Sequence, residues 1–316
     1  MTMPKSKSPL NQLETAPSIE KYIKYFEEKR WKGKITSPYD PSAKVYILKD
    51  GWYMCSKTRK KFNVKTGTIL MHTKLPLRTW YSALCYFSAK KGMSSHELAD
   101  FLGVTQATAW NMWKDIRSLL KQFNFVKTKL EKEVQIDETL IGGANGNRHK
   151  DKKVPRCQGR SAVDKNLVFG ALQSDGYLIT QVTSDGKMKT LVPIILKHVK
   201  KGSKIYSDEW YFYSGLNKWY YHRIVDHSKG EYVIKDDQGN KITTNSIESV
   251  WNHFKNPIHG TYHNNISDKY LQNYIDEFTF RFNTRKWSKR NRVDFLSSVV
   301  VGNKLTYQEF NQLKSV

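Results

Sequence analysis

The 316-residue chain is long enough for two or three domains with cores of their own. Its 53 lysine and arginine residues outnumber its 29 acidic residues, which gives a formal net charge of +24. This charge and an aromatic content of 13% favour nucleic acid as a partner over an anionic membrane surface or a merely solvated basic face. The sequence contains no run of roughly 18 apolar residues, so we expect no membrane-spanning helix.

The N-terminal stretch and the cysteines indicate the cellular compartment in which the protein is expected. Residues 1–10 lack the apolar core of a signal peptide, so export is not expected. The cysteines, Cys55, Cys85 and Cys157, are scattered and odd in number, which indicates a reducing compartment and no disulfide framework. We therefore expect a cytoplasmic protein, associated with the nucleoid if its source is bacterial.

The first part of the chain contains three predicted segments. Residues 1–34 combine a polar tail with an amphipathic helix over 19–33. Residues 35–73 alternate in polarity between turn signals, which predicts a small β ribbon of three short strands. Residues 74–128 have the periodicity of helices, which we interpret as a DNA-binding region.

Turn and capping residues divide that helical region. A first helix is predicted from Pro76 to Gly92, and Ser94-Ser-His-Glu97 matches a capping box for a second. Gly103 then separates it from a third helix over 106–117, a spacing that fits a helix-turn-helix but also an ordinary three-helix bundle. The side chains predicted to face DNA are Gln106, Thr108, Asn111 and Lys114.

Strands and helices are mixed over residues 129–290, which predicts an α/β domain with a mixed central sheet. A polar hairpin-like insert over 230–244 precedes the second of its helices, and residues 291–316 are expected to be a C-terminal tail. The predicted strands are 134–141, 166–173, 177–184, 203–208 and 222–227, and the predicted helices are 188–200, 245–255 and 268–286.

Three acidic residues lie in predicted elements that could bring them together on one sheet. Asp137 lies in the first strand of the α/β domain, Asp208 ends a later strand, and Glu248 lies at the start of a helix. Carboxylates gathered in this way can hold two divalent cations against a phosphodiester. Each acid alone is equally compatible with an exposed strand residue, a helix cap or a solvent-facing helix position. Glu138 and Glu209 are rival ligands, and Glu138 is disfavoured because neighbouring strand residues point to opposite faces.

The segments around these acids resemble the core motifs of insertion-sequence transposases of the ISXO-like branch, which is related to the Merlin transposons. The core motifs are Asp137-Glu-Thr-Leu-Ile-Gly-Gly143, Gly202-Ser-Lys-Ile-Tyr-Ser-Asp-Glu-Trp210 and Thr244-Asn-Ser-Ile-Glu-Ser-Val-Trp-Asn-His-Phe-Lys255. Further matching stretches are 66–69, 73–77, 90–95, 227–232, 260–263 and 278–285. The resemblance covers roughly residues 35–290.

The resemblance implies a ribonuclease H-like fold, with a mixed five-stranded sheet, flanking helices and an Asp-Asp-Glu metal triad. Asp137 would bridge two Mg²⁺ ions, Asp208 would bind one and Glu248 the other, and Mn²⁺ is expected to substitute. The implied activity is a DNA transposase that cuts at transposon ends and joins the 3′-hydroxyl to target DNA. Its implied partners are double-stranded DNA with terminal inverted repeats, target DNA and further copies of the chain.

Other side chains are candidates for contacts with the substrate. Asn245 lies one helical turn before Glu248 and is expected to line the same site. Lys255 lies two turns after Glu248, where a phosphate contact and a plain surface lysine are equally open. Two cationic clusters are expected to hold DNA, with solvated surface as the alternative for each. Their main residues are Arg148 and Lys150 in the loop 145–153, and Arg281, Arg285 and Trp287 near the end of the domain.

Members of this family often carry a four-cysteine zinc ribbon ahead of the helical region. The corresponding residues here are Ser37, Asp40, Cys55 and Thr58. A single thiolate among such ligands does not make a structural zinc site, so no zinc is expected.

Two other functions remain open at this point. A domesticated transposase that binds DNA without cutting it would keep the same fold, although the intact triad argues against it. A ribonuclease or repair nuclease would share the catalytic core, but a helix-turn-helix suits duplex DNA.

Overall fold

A computed structural model describes residues 19–89, 91–121, 129–142, 150–153, 165–208, 215–225, 233–235, 241–263 and 266–302. The helices of these residues are α1 (Ile19–Trp31), α2 (Leu77–Phe87), α3 (Ser95–Leu102), α4 (Gln106–Leu120), α5 (Met188–His198), α6 (Asn245–His259), α7 (Asp268–Asn283) and α8 (Lys289–Val300). The strands are β1 (Val45–Ile47), β2 (Tyr53–Cys55), β3 (Lys61–Phe62), β4 (Glu133–Ile141), β5 (Asn166–Gln173), β6 (Leu178–Thr183), β7 (Lys204–Asp208), β8 (Tyr221–Val225), β9 (Ile234–Lys235) and β10 (Lys241–Ile242). The predicted N-terminal tail lies outside the described residues.

The chain divides into two compact units, and the division differs from the expected domain boundaries. One unit comprises Met1–Gln122 together with Thr284–Val316, and the other comprises Phe123–Asn283. The N-terminal helix α1, the ribbon of β1–β3 and the helices α2, α3 and α4 thus share one unit. The unit that carries the three acids ends at Asn283, ahead of the expected boundary at residue 290.

Local hydrogen bonds explain where the consecutive helices α3 and α4 begin and where α3 ends. Ser94 caps α3, since its hydroxyl accepts from the Glu97 N–H at 3.2 Å while the Glu97 carboxylate accepts from the Ser94 N–H at 2.8 Å. Gly103 ends that helix at a φ of +63°, where a residue without a side chain is favoured. Thr105 then caps α4. The predicted capping box, stop and cap are confirmed.

Two helix predictions for this unit are wrong. α2 ends at Phe87 rather than Gly92, because the Ala89 N–H bonds to the Tyr86 carbonyl at 3.0 Å and tightens the last turn. The expected C-terminal tail begins instead with α8, which is capped by Ser288 and buries much of its surface. Tyr25 of α1 anchors this helix by donating to Asp294 at 2.7 Å.

The second unit is built around a five-stranded sheet in the order β6-β5-β4-β7-β8. β6, β5 and β4 pair antiparallel, while β4, β7 and β8 pair parallel. The sheet is therefore mixed, with helices packed against it, and the predicted ribonuclease H-like α/β fold is confirmed. The five predicted strands each match one of these strands to within a few residues.

Side chains along the central strands point alternately to the two faces of the sheet, and each face carries its own apolar core. Val134 and Ile136 of β4 face the side of the sheet covered by α5, in a core that also contains Leu191 and Ile195. The opposite side holds a second core of residues from β4, β5, β6, α6 and α7. The members of this second core are Ile141, Val168, Leu172, Leu178, Ile247, Val250, Trp251, Phe254, Ile258, Leu271 and Ile275. Asp137 follows Ile136 and so faces the α6 side.

Candidate active site

The first two acids lie on neighbouring parallel strands. β4 and β7 pair in register from Glu133 with Lys204 to Gln135 with Tyr206. Continuing that register along both strands brings Asp208 beside Asp137 on the same face, at the strand spacing of about 4.8 Å. Both side chains are half-buried. The sheet itself therefore brings these two carboxylates together.

Two donors hold the Asp137 carboxylate. Its Oδ1 accepts from the Glu138 N–H at 2.8 Å, and its Oδ2 accepts from the Trp251 indole N–H at 2.9 Å. Burial raises the pKa of Asp137 to about 7, aided by the negative charge of Asp208 and, to a smaller extent, of Glu248. The three acids thus act on one electrostatic site.

The third acid is carried by the first turn of α6. The Ile247 N–H donates to the Gln135 side-chain oxygen at 3.0 Å, which attaches the start of the helix to β4. Glu248 is exposed, and its Oε1 accepts from the Thr244 hydroxyl at 3.0 Å. Its chain position next to Ile247 keeps it beside the strand that carries Asp137.

Sequence reasoning missed three residues of this site: Gln135, Gly170 and Trp251. Signals for two of them were present. Gly170 interrupts an otherwise large-residue buried strand, which often marks a close approach. Trp251 lies three residues after Glu248, and hence on an adjoining part of one helix face. Nothing in the local pattern indicated that Trp251 bonds to a residue 114 positions away.

The donor set fits a hard divalent cation in kind, because all three acids offer carboxylate oxygens. Burial is the main cause of the raised pKa of Asp137, and the negative charges of Asp208 and Glu248 add to it, so a cation beside Asp137 would favour its ionised form. In the part of the chain that the structure describes, no three His, Cys, Asp or Glu side chains lie close enough together to hold a metal ion, and this includes the three acids.

The rival ligand and the predicted neighbours of the triad occupy different environments. Glu138 is only 8% exposed, on the face opposite Asp137, as expected from strand alternation. Asn245 is exposed at the start of α6, while Lys255 is half-buried further along it. Lys150 is exposed in a short 3₁₀ turn, and Arg148 and Glu209 lie outside the described residues.

The second predicted cationic cluster differs from expectation at two residues. Arg281 pairs within α7 with Glu277, which also accepts from the Tyr262 hydroxyl, so its charge is already compensated. Trp287 is 5% exposed and packs edge-on against Phe295, so its ring is not offered for stacking on DNA. Arg285 is exposed.

The predicted DNA-facing residues lie along α4. Gln106 and Asn111 are exposed, whereas Thr108 and Lys114 are half-buried. Lys114 donates to Asn111 at 3.0 Å and lies over the Trp110 ring, with its Nζ 5.3 Å from the ring centre. The helix thus presents polar side chains together with a cation.

Two of the ribbon positions that correspond to zinc ligands, Ser37 and Thr58, contact the sulfur of a third, Cys55. Cys55 is fully buried, and the hydroxyls of Ser37 and then Thr58 lower the pKa of its thiol to about 7. Ser37 also accepts from the Asp40 N–H at 3.4 Å. A hydrogen-bonded cluster thus joins the two turns that carry these four residues.

A comparison with protein families identifies the part of the chain that carries these acids. A protein-family model, described as an ISXO2-like transposase domain, matches residues 129–283 of the chain. These residues include Asp137, Asp208 and Glu248. This part of the chain therefore belongs to the ISXO2-like transposase domain family, and the chain is a transposase of the insertion-sequence type. None of the described helices has the length and apolar character needed to cross a membrane.

Particular relatives are distant. The chain is 24% identical over 238 residues to an uncharacterized protein in transposable element ISH50 of Halobacterium salinarum, covering 72% of this chain and 77% of that protein. Among solved structures, a simian T-cell lymphotropic virus intasome in complex with PP2A regulatory subunit B56 gamma aligns at 11% identity and a TM-score of 0.25, over 74% of this chain and 72% of that one. A pre-cleavage Mos1 transpososome aligns at 13% identity and a TM-score of 0.18, over 68% and 76%.

Proposed function

We propose that this protein cuts phosphodiester bonds at the ends of its own insertion sequence and joins the freed 3′-hydroxyl to target DNA. The observation that carries the proposal is that Asp137 and Asp208 lie side by side on the neighbouring parallel strands β4 and β7. Glu248 is near enough for its charge to raise the pKa of Asp137. The family match over the same residues supports it.

Asp137, Asp208 and Glu248 would hold two Mg²⁺ ions, or Mn²⁺ in their place. When bound, such ions activate an attacking oxygen and stabilise the leaving oxygen of an in-line displacement. The chain contributes positioning, because two N–H donors fix the orientation of the Asp137 carboxylate. Partial burial of Asp137 strengthens its attraction to positive charge. Lys255 would contact substrate phosphate, and no residue of the chain would bond covalently to DNA.

The rest of the protein would hold the DNA. Gln106, Thr108, Asn111 and Lys114 of α4 would contact the terminal inverted repeat, as a recognition helix does. Asn245, Lys150, Arg148 and Arg285 would contact the substrate near the triad. Because two ends are joined to one target, the active form would be a homo-oligomer. In a bacterium it would work at the nucleoid.

Strand cleavage by single variants tests this function. The substrate is DNA with the terminal repeats found on either side of the gene. Asp137→Asn, Asp208→Asn and Glu248→Gln should each abolish Mg²⁺-dependent nicking and leave DNA binding largely intact. The matched control is Glu131→Gln, an exposed acid of the same unit that pairs with Lys200 at 3.0 Å. It should cut at the wild-type rate.

The outcomes separate the alternatives. Nicking by Asp208→Asn at the native rate would show that the site assignment is wrong. A wild-type protein that binds the repeats with Mg²⁺ but never nicks them would be a DNA-binding protein without this activity. Preferential cutting of RNA–DNA hybrids over duplex DNA would indicate a nuclease instead.

A further inference from the structure

We propose that Gln135 and Trp251 are positioning residues that lock α6 onto β4 and thereby set the spacing between the carboxylates of Asp137 and Glu248. Gly170 supplies the clearance that this lock needs. The inference deepens the proposed function and depends on it. It rests on two hydrogen bonds, their spacing and one steric clearance.

Two hydrogen bonds join the strand to the helix. The Gln135 side-chain oxygen accepts from the Ile247 N–H at 3.0 Å, and the Asp137 carboxylate accepts from the Trp251 indole N–H at 2.9 Å. One bond uses a backbone donor of the helix and the other a side-chain donor. Both strand residues are on the same face of β4, because they are two positions apart.

The spacing of these bonds is matched between the two elements. Two residues along a strand advance by about 6.7 Å, and four residues along a helix advance by about 6 Å. The two advances are similar, so one turn of α6 offers donors to Gln135 and Asp137 at once, through the Ile247 backbone N–H and the Trp251 indole N–H. Sliding α6 by one residue would break both bonds together.

Gly170 allows the indole to reach Asp137. It pairs directly with Asp137 across β4 and β5. A side-chain carbon added at Gly170 would lie 2.5 Å from two ring carbons of Trp251, Cζ2 and Cη2. Since Trp251 is 4% exposed, the ring has little free space to move away. A glycine in the middle of a buried strand is thus explained by the indole above it.

The third acid lies in the segment of α6 that these two hydrogen bonds attach to β4. Glu248 lies between Ile247 and Trp251 in the chain, within the single helical turn whose two ends are bonded to β4. Apolar packing of Val250 and Phe254 would hold the helix on the sheet without fixing its exact register, because dispersion contacts are not directional. The directional bonds are what fix the distance from Glu248 to Asp137.

Variants of the two positioning residues test the lock. Trp251→Phe keeps an aromatic ring and removes the donor, and Gln135→Met removes the acceptor at similar size. Each should weaken Mn²⁺ binding by the full-length chain and slow strand cleavage by about ten- to a hundredfold, with DNA affinity unchanged. Gln135→Glu retains an acceptor oxygen at this position. Its Mn²⁺ affinity and its cleavage rate should therefore both stay close to those of wild type. Gly170→Ala should resemble Trp251→Phe.

Trp113→Phe is the matched control. Trp113 is also buried, at 2% exposure, and its indole donates to the Met93 carbonyl at 3.0 Å, in the other unit of the chain. This variant should lose comparable stability but keep both Mn²⁺ affinity and cleavage rate. If Trp251→Phe keeps both within about twofold, or Gln135→Glu fails as completely as Gln135→Met, the lock is refuted.

The same experiment distinguishes the lock from the function on which it depends. If wild-type protein cuts, Asp137→Asn does not, and Trp251→Phe and Gln135→Met match wild type, only the lock fails. If wild-type protein neither binds Mn²⁺ nor cuts DNA, the proposed function fails and the lock with it.

Discussion

Asp137 is under strain from its surroundings. It is half-buried, the negative charges of Asp208 and Glu248 act on it, and two neutral N–H groups donate to its carboxylate. A carboxylate in such a place is costly to ionise, which is why its pKa reaches about 7. Perturbation of this kind is typical of functional sites, although structural networks also produce it.

The pKa of Asp137 predicts a pH dependence of stability without metal. Its carboxyl titrates at about 4 when unfolded and at about 7 when folded. Between these values the folded state binds more protons, so the free energy of unfolding falls as the pH rises. Asp137→Asn removes this loss. Its melting temperature in a chelator should gain on that of wild type as the pH increases from about 5 to about 8.

Glu131→Gln again serves as the control, because Lys200 holds the pKa of that exposed acid below its usual value. Its melting curve should show no relative gain over this pH range. Parallel pH profiles for Asp137→Asn and wild type would mean that Asp137 is not strained as described.

Among the elements, the ribbon contains contacts that could join its turns without a metal. Buried Cys55 is held by hydroxyls from Ser37 and Thr58, and Trp31 packs edge-on against Tyr53 beside it, with ring centres 5.4 Å apart. Hydrogen bonds and aromatic packing thus join the turns that four thiolates would join in a zinc ribbon.

The ribbon therefore predicts a chain that folds without zinc. Purified protein, never exposed to chelator, should contain far less than one zinc ion per chain by elemental analysis. A zinc-selective chelator, added in a buffer that contains excess Mg²⁺, should leave its melting temperature unchanged. About one tightly held zinc per chain, together with a fall in melting temperature on chelation, would contradict this account of Cys55.

How far the sequence predicts each element depends on where its determinants lie. The capping box of Ser94 and the stop at Gly103 are local signals, and both predictions are confirmed. The helix α8 was missed although Ser288 and the apolar residues after it follow the usual pattern of a capped helix. Strand order and the contact of Trp251 with Asp137 join distant residues, so no local pattern contains them.

At the scale of the whole molecule, the charge of +24 implies that electrostatics supply much of the affinity for DNA. In the proposed function, the polar face of α4 would give this attraction a defined contact. The pairing of Arg281 with Glu277 shows that not every basic residue contributes. Net charge therefore predicts the class of partner, while the structure is needed to choose the residues.

The salt dependence of binding tests which cations touch phosphate. The affinity for end-containing DNA should fall steeply with salt, on a line in a double-logarithmic plot. Lys114→Gln should reduce the slope of that line by about 1, because one phosphate contact is lost. Lys200→Gln, which removes a lysine already paired with Glu131, should leave the slope unchanged. Equal slopes for Lys114→Gln and wild type would remove Lys114 from the DNA contact.

The central claim is that three acids from two strands and a helix form a single site for divalent cations. Counting bound Mn²⁺ by electron paramagnetic resonance, with the full chain and end-containing DNA, tests it most directly. Wild-type protein should bind about two ions per chain, and Asp208→Asn should lose at least one of them. Unchanged binding by Asp208→Asn, or no binding by wild type, would contradict the claim.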